Sequence, residues 1–212
     1  KNGNFISPAE AIPILEESGL IIPVGKWIIQ NAFSMCTECR KYYPEFRVSI
    51  NLSYVQILKS PLMMELKQMI EHSGISCSGI IVELTESGYL EGTPAVRSVW
   101  NDMKQLRIQI ALDDFGTGYS NLMNISNLEP DIVKLDRGFT LKALSRSYEY
   151  QLMQYVIEMV HKLNQYVCVE GVETKEDLEK IKALGPDLIQ GYYYSKPCSR
   201  DEFLKKFFGY SE

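Results

Sequence analysis

The feature that most constrains this chain is a repeated alternation of two patterns. Short apolar runs rich in β-branched residues, nearly unbroken by polar ones, are separated by stretches of helical period. The runs are Phe46 to Leu52, Gly79 to Leu84, Ile108 to Leu112, Ile132 to Leu135, Tyr166 to Val169 and Leu188 to Tyr194. A strand apolar throughout, rather than at every second residue, is buried on both faces, which is the situation of parallel strands covered by helices. The expected fold class is therefore α/β, with a repeating strand–helix module and no interior linker.

The helices announce their own starts. Ser7-Pro8-Ala9-Glu10, Thr174-Lys175-Glu176-Asp177 and Ser199-Arg200-Asp201-Glu202 each place a small polar cap three residues before an acid, as a capping box requires. Ser60-Pro61 and Thr93-Pro94 put proline at the first helical position, where its missing N–H costs nothing. Further helices are expected from Pro23 to Tyr43, stopped by Pro44, and from Tyr148 to Asn164, where Leu152, Val156, Met159, Val160 and Leu163 recur at helical spacing.

The chemistry lies where the apolar runs end. In chain order the closing polar residues are Asn51, Glu83, Asp113 with Asp114, Lys134 with Asp136, Glu170 with Glu173, and Gln190, separated by steps of 20 to 36 residues. No single helix or hairpin gathers residues so far apart. A closed or nearly closed parallel sheet does, because it sets the C-terminal ends of all its strands on one rim, where barrel enzymes keep their chemistry. Carboxylates crowded there repel by roughly 4 kcal/mol per pair at ~4 Å, even at an effective dielectric of 20. Something positive must sit among them. Lys134 is one cation, and an all-oxygen set including Asn51 suits hard divalent ions, so Mg²⁺ or Mn²⁺ is expected. Two such ions suit in-line displacement at phosphorus.

Other classes of function fit less well. The 212 residues carry 27 acids and 22 bases, a formal charge of −5, with no Lys/Arg cluster to track a phosphate backbone, so duplex nucleic acid is not an expected partner. No apolar run approaches the ~18 residues of a membrane span. Five cysteines cannot all pair and show no secreted disulfide spacing, which points to reduced thiols in a cytoplasmic setting. Cys36 and Cys39 form a C-x-x-C inside a helical pattern, without the second pair or nearby histidines that a zinc site needs, so helix packing is their expected role. His72 and His161 both lie in helical stretches, which argues against a histidine-based triad. Gly116-Thr117-Gly118 lacks the third glycine of a dinucleotide loop and follows two aspartates that would repel a pyrophosphate. A mobile loop at the rim is the expectation there.

Taken in order, Asn51-Leu52-Ser53, Glu83-Leu84-Thr85-Glu86-Ser87, Asp113-Asp114-Phe115-Gly116-Thr117-Gly118-Tyr119-Ser120, Lys134-Leu135-Asp136-Arg137, Glu170-Gly171-Val172-Glu173-Thr174 and Gln190-Gly191-Tyr192 resemble the EAL domain family. The resemblance implies a modified TIM (β/α)8 barrel that hydrolyses one phosphodiester bond of the bacterial second messenger cyclic di-GMP, giving linear pGpG with Mg²⁺ or Mn²⁺, two ions in the intact site. It implies Asn51, Glu83 and Asp113 as ligands of one metal, with Asp113 shared and Asp114 serving the second. Glu170 would complete the metal and water environment, with a general-base role open to it, and Lys134 would position the attacking water or the phosphate. Gln190, Asp136 and Glu173 would line the same pocket. Glu86 would brace the loop from Phe115 to Asn121, which in this family links the site to dimerisation.

The family's name-giving Glu-Ala-Leu motif, whose glutamate is a metal ligand, and the arginine after it do not occur here. By the resemblance, Lys1 falls just after that strand. Residues 1–212 are thus expected to be one EAL-type domain incomplete at its N-terminus, truncated to about six parallel strands, cut from a longer parent and inactive alone. The parent is expected to be a bacterial cytoplasmic signalling protein, homodimeric, with an upstream sensor or regulatory domain. Two other readings of the same residues are a non-catalytic cyclic di-GMP receptor and a dimerisation or signalling module without ligand; the intact metal constellation argues against the second.

Overall fold

The computed structural model describes residues 6–85, 93–117, 125 and 128–209. Six strands follow one another through one sheet in chain order: β1 (Val48–Asn51), β2 (Ile80–Thr85), β3 (Gln109–Phe115), β4 (Ile132–Leu135), β5 (Tyr166–Val169) and β6 (Leu188–Ile189). From β3 to β6 the pairing is parallel, as the unbroken apolar runs require. The described chain falls into two compact units. The first takes in residues up to Val82 together with 93–108, and the second takes in 83–85 and the residues from Gln109 onward.

The first unit contains α1 (Pro8–Ser18), α2 (Ile21–Cys39), β1, α3 (Tyr54–Lys59), α4 (Leu62–Ser73), the opening of β2 and α5 (Pro94–Gln105). The capping box of Ser7 and Glu10 forms as expected, and Thr93 caps α5 with Pro94 in its first turn. The core is built on α2, whose buried face presents Ile29, Phe33, Cys36 and Cys39. Ile50, Leu62, Leu66 and Met103 join Ile29 and Phe33 around one small apolar cavity. Both members of the C-x-x-C lie on this buried face, and burial raises the Cys36 thiol pKa, so it stays protonated. All five cysteines are free thiols.

The second unit contains the rest of β2, then β3, β4, α6 (Arg137–Ser145), α7 (Ser147–Lys162), β5, α8 (Lys175–Lys182), β6 and α9 (Arg200–Phe208). Leu112, Val133, Leu135 and Val169 from the strands, and Met153, Ile157 and Val160 from α7, are almost wholly excluded from solvent. The boxes of Thr174 with Asp177 and Ser199 with Glu202 open α8 and α9. His72 and His161 are helix residues of α4 and α7, and His161 Nε2 lies 2.9 Å from Asp187 Oδ2. No described helix is long and apolar enough to cross a membrane.

Several boundaries differ from the sequence expectation. The helix expected from Pro23 begins at Ile21, with Pro23 still in its first turn, and ends at Cys39 rather than at Tyr43. Pro61 is the cap of α4 and not its first residue. The helices α3 and α6 were not anticipated, although Ser53 and Gln56 form a capping box of the usual Ser-x-x-Gln kind. At the other end, the run from Leu188 to Tyr194 yields a strand of only two residues. Past Ile189 the main chain bonds to the loop after β5, with Gln190 O accepting from Val172 N and Tyr193 N donating to Val172 O. The three tyrosines that looked like strand are exposed.

Phe33→Ala is expected to cost about 3–5 kcal/mol of unfolding free energy by opening a cavity in the first unit. Trp27→Ala, at a position 63% exposed on the same helix, is expected to change it by less than about 0.5 kcal/mol. Urea denaturation of the two variants beside the parent chain checks both values.

Candidate active site

Three of the expected polar residues of the second unit meet around a fourth. Lys134 points from β4 with only 5% of its side chain exposed, and its Nζ lies 2.7 Å from Glu83 Oε2, 3.0 Å from Asp113 Oδ1 and 2.7 Å from Glu170 Oε1. These partners come from β2, from β3 and from the residue that follows β5. Burial alone would lower the Lys134 pKa, but the charges of Glu83 and Asp113 and the hydrogen bonds that Lys134 donates to Glu170 and Glu83 outweigh it, so the ammonium is held more firmly charged than a free lysine. Buried charges persist only when paired in this way.

β3 runs further than the sequence patterning suggested, because its acids are part of it: it continues through Asp113 and Asp114 to Phe115. β2 contains Glu83 as expected and ends one residue later, at Thr85. The register of β3 on β4 is Leu112 opposite Val133, then Phe115 opposite Leu135, so two aspartates face the single residue Lys134. This is a β-bulge, which interrupts the strict in-and-out alternation of a strand and re-aims side chains. Asp114 takes a left-handed φ of 60°, a conformation in which Asp and Asn are several-fold enriched among non-glycine residues. Its amide donates to Asp113 Oδ1 at 3.0 Å, so that oxygen is shared between a backbone N–H and the lysine.

The loops after β5 and β6 are locked together beside this cluster. Glu170 N donates to Leu135 O, Gln190 N to Val169 O and Val172 N to Gln190 O. Gly191 permits the approach, because a Cβ there would collide with the main chain of Val172. Gly171 turns the β5 loop at a φ of 77°, close against the Arg137 side chain.

The remaining expected residues lie as follows. Asp136 caps α6, its Oδ1 accepting from Gly138 N at 2.7 Å. Glu173 pairs with Arg137 Nη2 at 2.7 Å on the surface. Gln190 is exposed at the end of β6. Asn51 is the last residue of β1, exposed, in the first unit. Glu86 and the loop residues 118–121 lie outside the described residues. One neighbour was missed: Cys168 stands opposite Lys134 in the β4–β5 register. Its thiol is pushed up to about 12 by burial, which outweighs the nearby ammonium. The signal was available, since Cys168 precedes Glu170 by two positions, and residues two apart share a face of a strand.

The donor set fits a divalent ion in its chemistry. Glu83, Asp113, Asp114 and Glu170 supply only carboxylate oxygens, the ligands that Mg²⁺ and Mn²⁺ prefer, and one ammonium does not balance four carboxylates. The point on which Glu83, Asp113 and Glu170 converge is filled by Lys134. Among the described residues no group of three His, Cys, Asp or Glu side chains is placed to hold an ion in this arrangement. The residual repulsion is visible at Asp114, whose pKa is raised by burial and then by the charges of Asp113 and Asp136. Glu170 is raised as well, by burial, against the lowering effect of Lys134.

A carboxyl whose pKa is higher in the folded than in the unfolded chain makes the fold most stable while it is protonated. That stability is lost as pH rises from the ordinary carboxylate range through the raised value. Asp114→Asn removes the charge and keeps a residue that accepts the left-handed backbone. Without added metal it is expected to raise the urea midpoint at pH 7, with the gain vanishing below the ordinary carboxylate range. Denaturation curves of both proteins at pH 3 and pH 7 check this.

A family model described as the EAL domain matches residues 1–197. Among curated relatives, an uncharacterized protein of Sinorhizobium fredii is 36% identical over 94% of this chain and 24% of its own length. Cyclic di-GMP phosphodiesterase PdeF of Escherichia coli is 31% identical over 93% of this chain and 26% of its own length. The chain therefore spans about a quarter of these relatives. Among solved structures, an EAL enzyme bound to cAMP and cyclic di-GMP superposes with a TM-score of 0.90 at 29% identity, covering 97% of this chain and 57% of that one. The MucR phosphodiesterase in its cyclic di-GMP complex gives 0.88 at 26% identity, covering 96% and 83%. With the six parallel strands and their helices in the TIM-barrel-like arrangement of those enzymes, the chain belongs to the EAL domain family.

Proposed function

We propose that this domain hydrolyses one phosphodiester bond of cyclic di-GMP to give linear pGpG, with Mg²⁺ or Mn²⁺. The observation that carries the reading is the buried cluster of Glu83, Asp113 and Glu170 around Lys134, with the second aspartate of the bulge beside it. Relatives named cyclic di-GMP phosphodiesterases and solved EAL enzymes holding the dinucleotide support the choice of substrate.

In this reading Asn51, Glu83, Asp113 and Asp114 would hold the ions. A bound divalent ion lowers the pKa of a coordinated water and neutralises phosphate charge. Glu170 is the group suited to take the proton from the attacking water, because burial already raises its proton affinity. Lys134 supplies the positive charge that keeps the carboxylates together and orients the water or the phosphate. Gln190 offers an exposed amide just past β6, and Glu173, fixed by Arg137, holds the neighbouring loop. Glu86 would brace the loop toward a second copy of the domain, and the reading includes a homodimer, an upstream regulatory domain and a bacterial cytoplasmic setting. The family's Glu-Ala-Leu glutamate is not among these residues, so turnover by the 212 residues alone is expected to be negligible.

Chromatographic separation of cyclic di-GMP from pGpG tests the reading, using a chain that supplies the Glu-Ala-Leu segment as well as these residues. Product is expected with Mg²⁺ or Mn²⁺ and none after chelation. Asp113→Asn is expected to lower turnover by about a thousandfold or more, whereas Cys36→Ser and Cys39→Ser leave it within error. Retained cyclic di-GMP binding without product would favour the receptor reading instead.

A further inference from the structure

An alkylammonium carries three N–H donors and no acceptor. Three carboxylate oxygens lie 2.7, 3.0 and 2.7 Å from Lys134 Nζ, and the contact to Glu83 Oε2 is a hydrogen bond. In this arrangement the ammonium is engaged with carboxylates and not with a water molecule or a phosphate oxygen, which is the task the proposed reaction gives it. The carboxylates need the lysine equally. With side chains only 7, 12 and 18% exposed, Glu83, Asp113 and Glu170 could not remain ionised side by side without a counter-charge.

Resting on the reading that this site takes Mg²⁺ or Mn²⁺, we infer that Lys134 is a positioning residue that stands in for the metal. In the metal-free protein its ammonium holds three strand ends together through their carboxylates. An arriving divalent ion takes over at least one of those carboxylates, and the N–H released becomes available to water or phosphate. No covalent bond changes and the ammonium keeps its proton; ion pairs are exchanged. Asp114 fits this account by position, since the β-bulge sets it beside Asp113 opposite Lys134. Because ammonium and metal draw on the same oxygens, each must weaken the hold of the other. The same exchange explains how the barrel's strand ends can pack before metal is present.

The test is a Mn²⁺ titration of the 212-residue chain and of Lys134→Met, reading free Mn²⁺ by electron paramagnetic resonance. Methionine keeps the unbranched length without the charge. The variant is expected to bind Mn²⁺ about tenfold or more tightly than the parent chain. Equal or weaker binding by the variant would overturn the exchange while leaving the metal reading intact, and no binding by either protein would overturn the exchange in this chain, the metal reading being tested separately by turnover of the chain that supplies the Glu-Ala-Leu segment. A measurement on the unaltered chain guards against misfolding of the variant. With ¹⁵N-labelled lysine, a sequestered ammonium gives a slowly exchanging NMR signal, and saturating Mg²⁺ is expected to shift it or broaden it away. A Lys134 signal unmoved at saturation would overturn the inference.

Discussion

The second unit is organised by the ion pairs that one buried ammonium makes with three carboxylates. Lys134 connects β2, β3 and the end of β5 through Glu83, Asp113 and Glu170, so residues separated by dozens of positions are tied at a single atom. Removing one partner of such a group leaves an uncompensated buried charge, which is far more damaging than losing a surface pair. The strands can carry charged residues in an otherwise apolar sheet only because the charges answer one another. The loops are then fastened around them by backbone hydrogen bonds from Glu170, Val172 and Gln190.

This arrangement is not optimised for stability. Asp114 sits in a left-handed conformation beside charges that oppose its own, and both it and Glu170 are pushed toward the protonated state by burial. A chain under selection only to fold would replace them. Their presence identifies where the fold gives up stability, and perturbed ionisable groups cluster where a fold does its chemistry. By contrast, the surface pairs such as Arg146 with Glu149 and Arg200 with Asp201 are of the exposed kind that contributes little.

The parts of the fold legible in the sequence are those governed by local physics. Caps at Ser7, Thr93, Thr174 and Ser199 form where the side chains dictate, because a cap is decided within four residues. The apolar runs become parallel strands for the same reason that they are apolar, namely burial on both faces. Where patterning misled, a distant partner decided the outcome. Tyr192, Tyr193 and Tyr194 look like strand, yet Gln190 and Tyr193 bond to Val172 instead, and the tyrosines stay exposed. The expectation that β3 would stop before Asp113 failed because Lys134, on another strand, makes aspartate acceptable inside it.

What the sequence determined by itself was the alternation of strand and helix, the class of fold and the family the chain belongs to. All of these follow from side-chain type and spacing. What only the tertiary structure decided was which of the polar residues meet. The bulge that sets two aspartates against one lysine and the convergence of three acids on its ammonium depend on strand register. Register is a property of two chains lying side by side, and no single run of residues contains it.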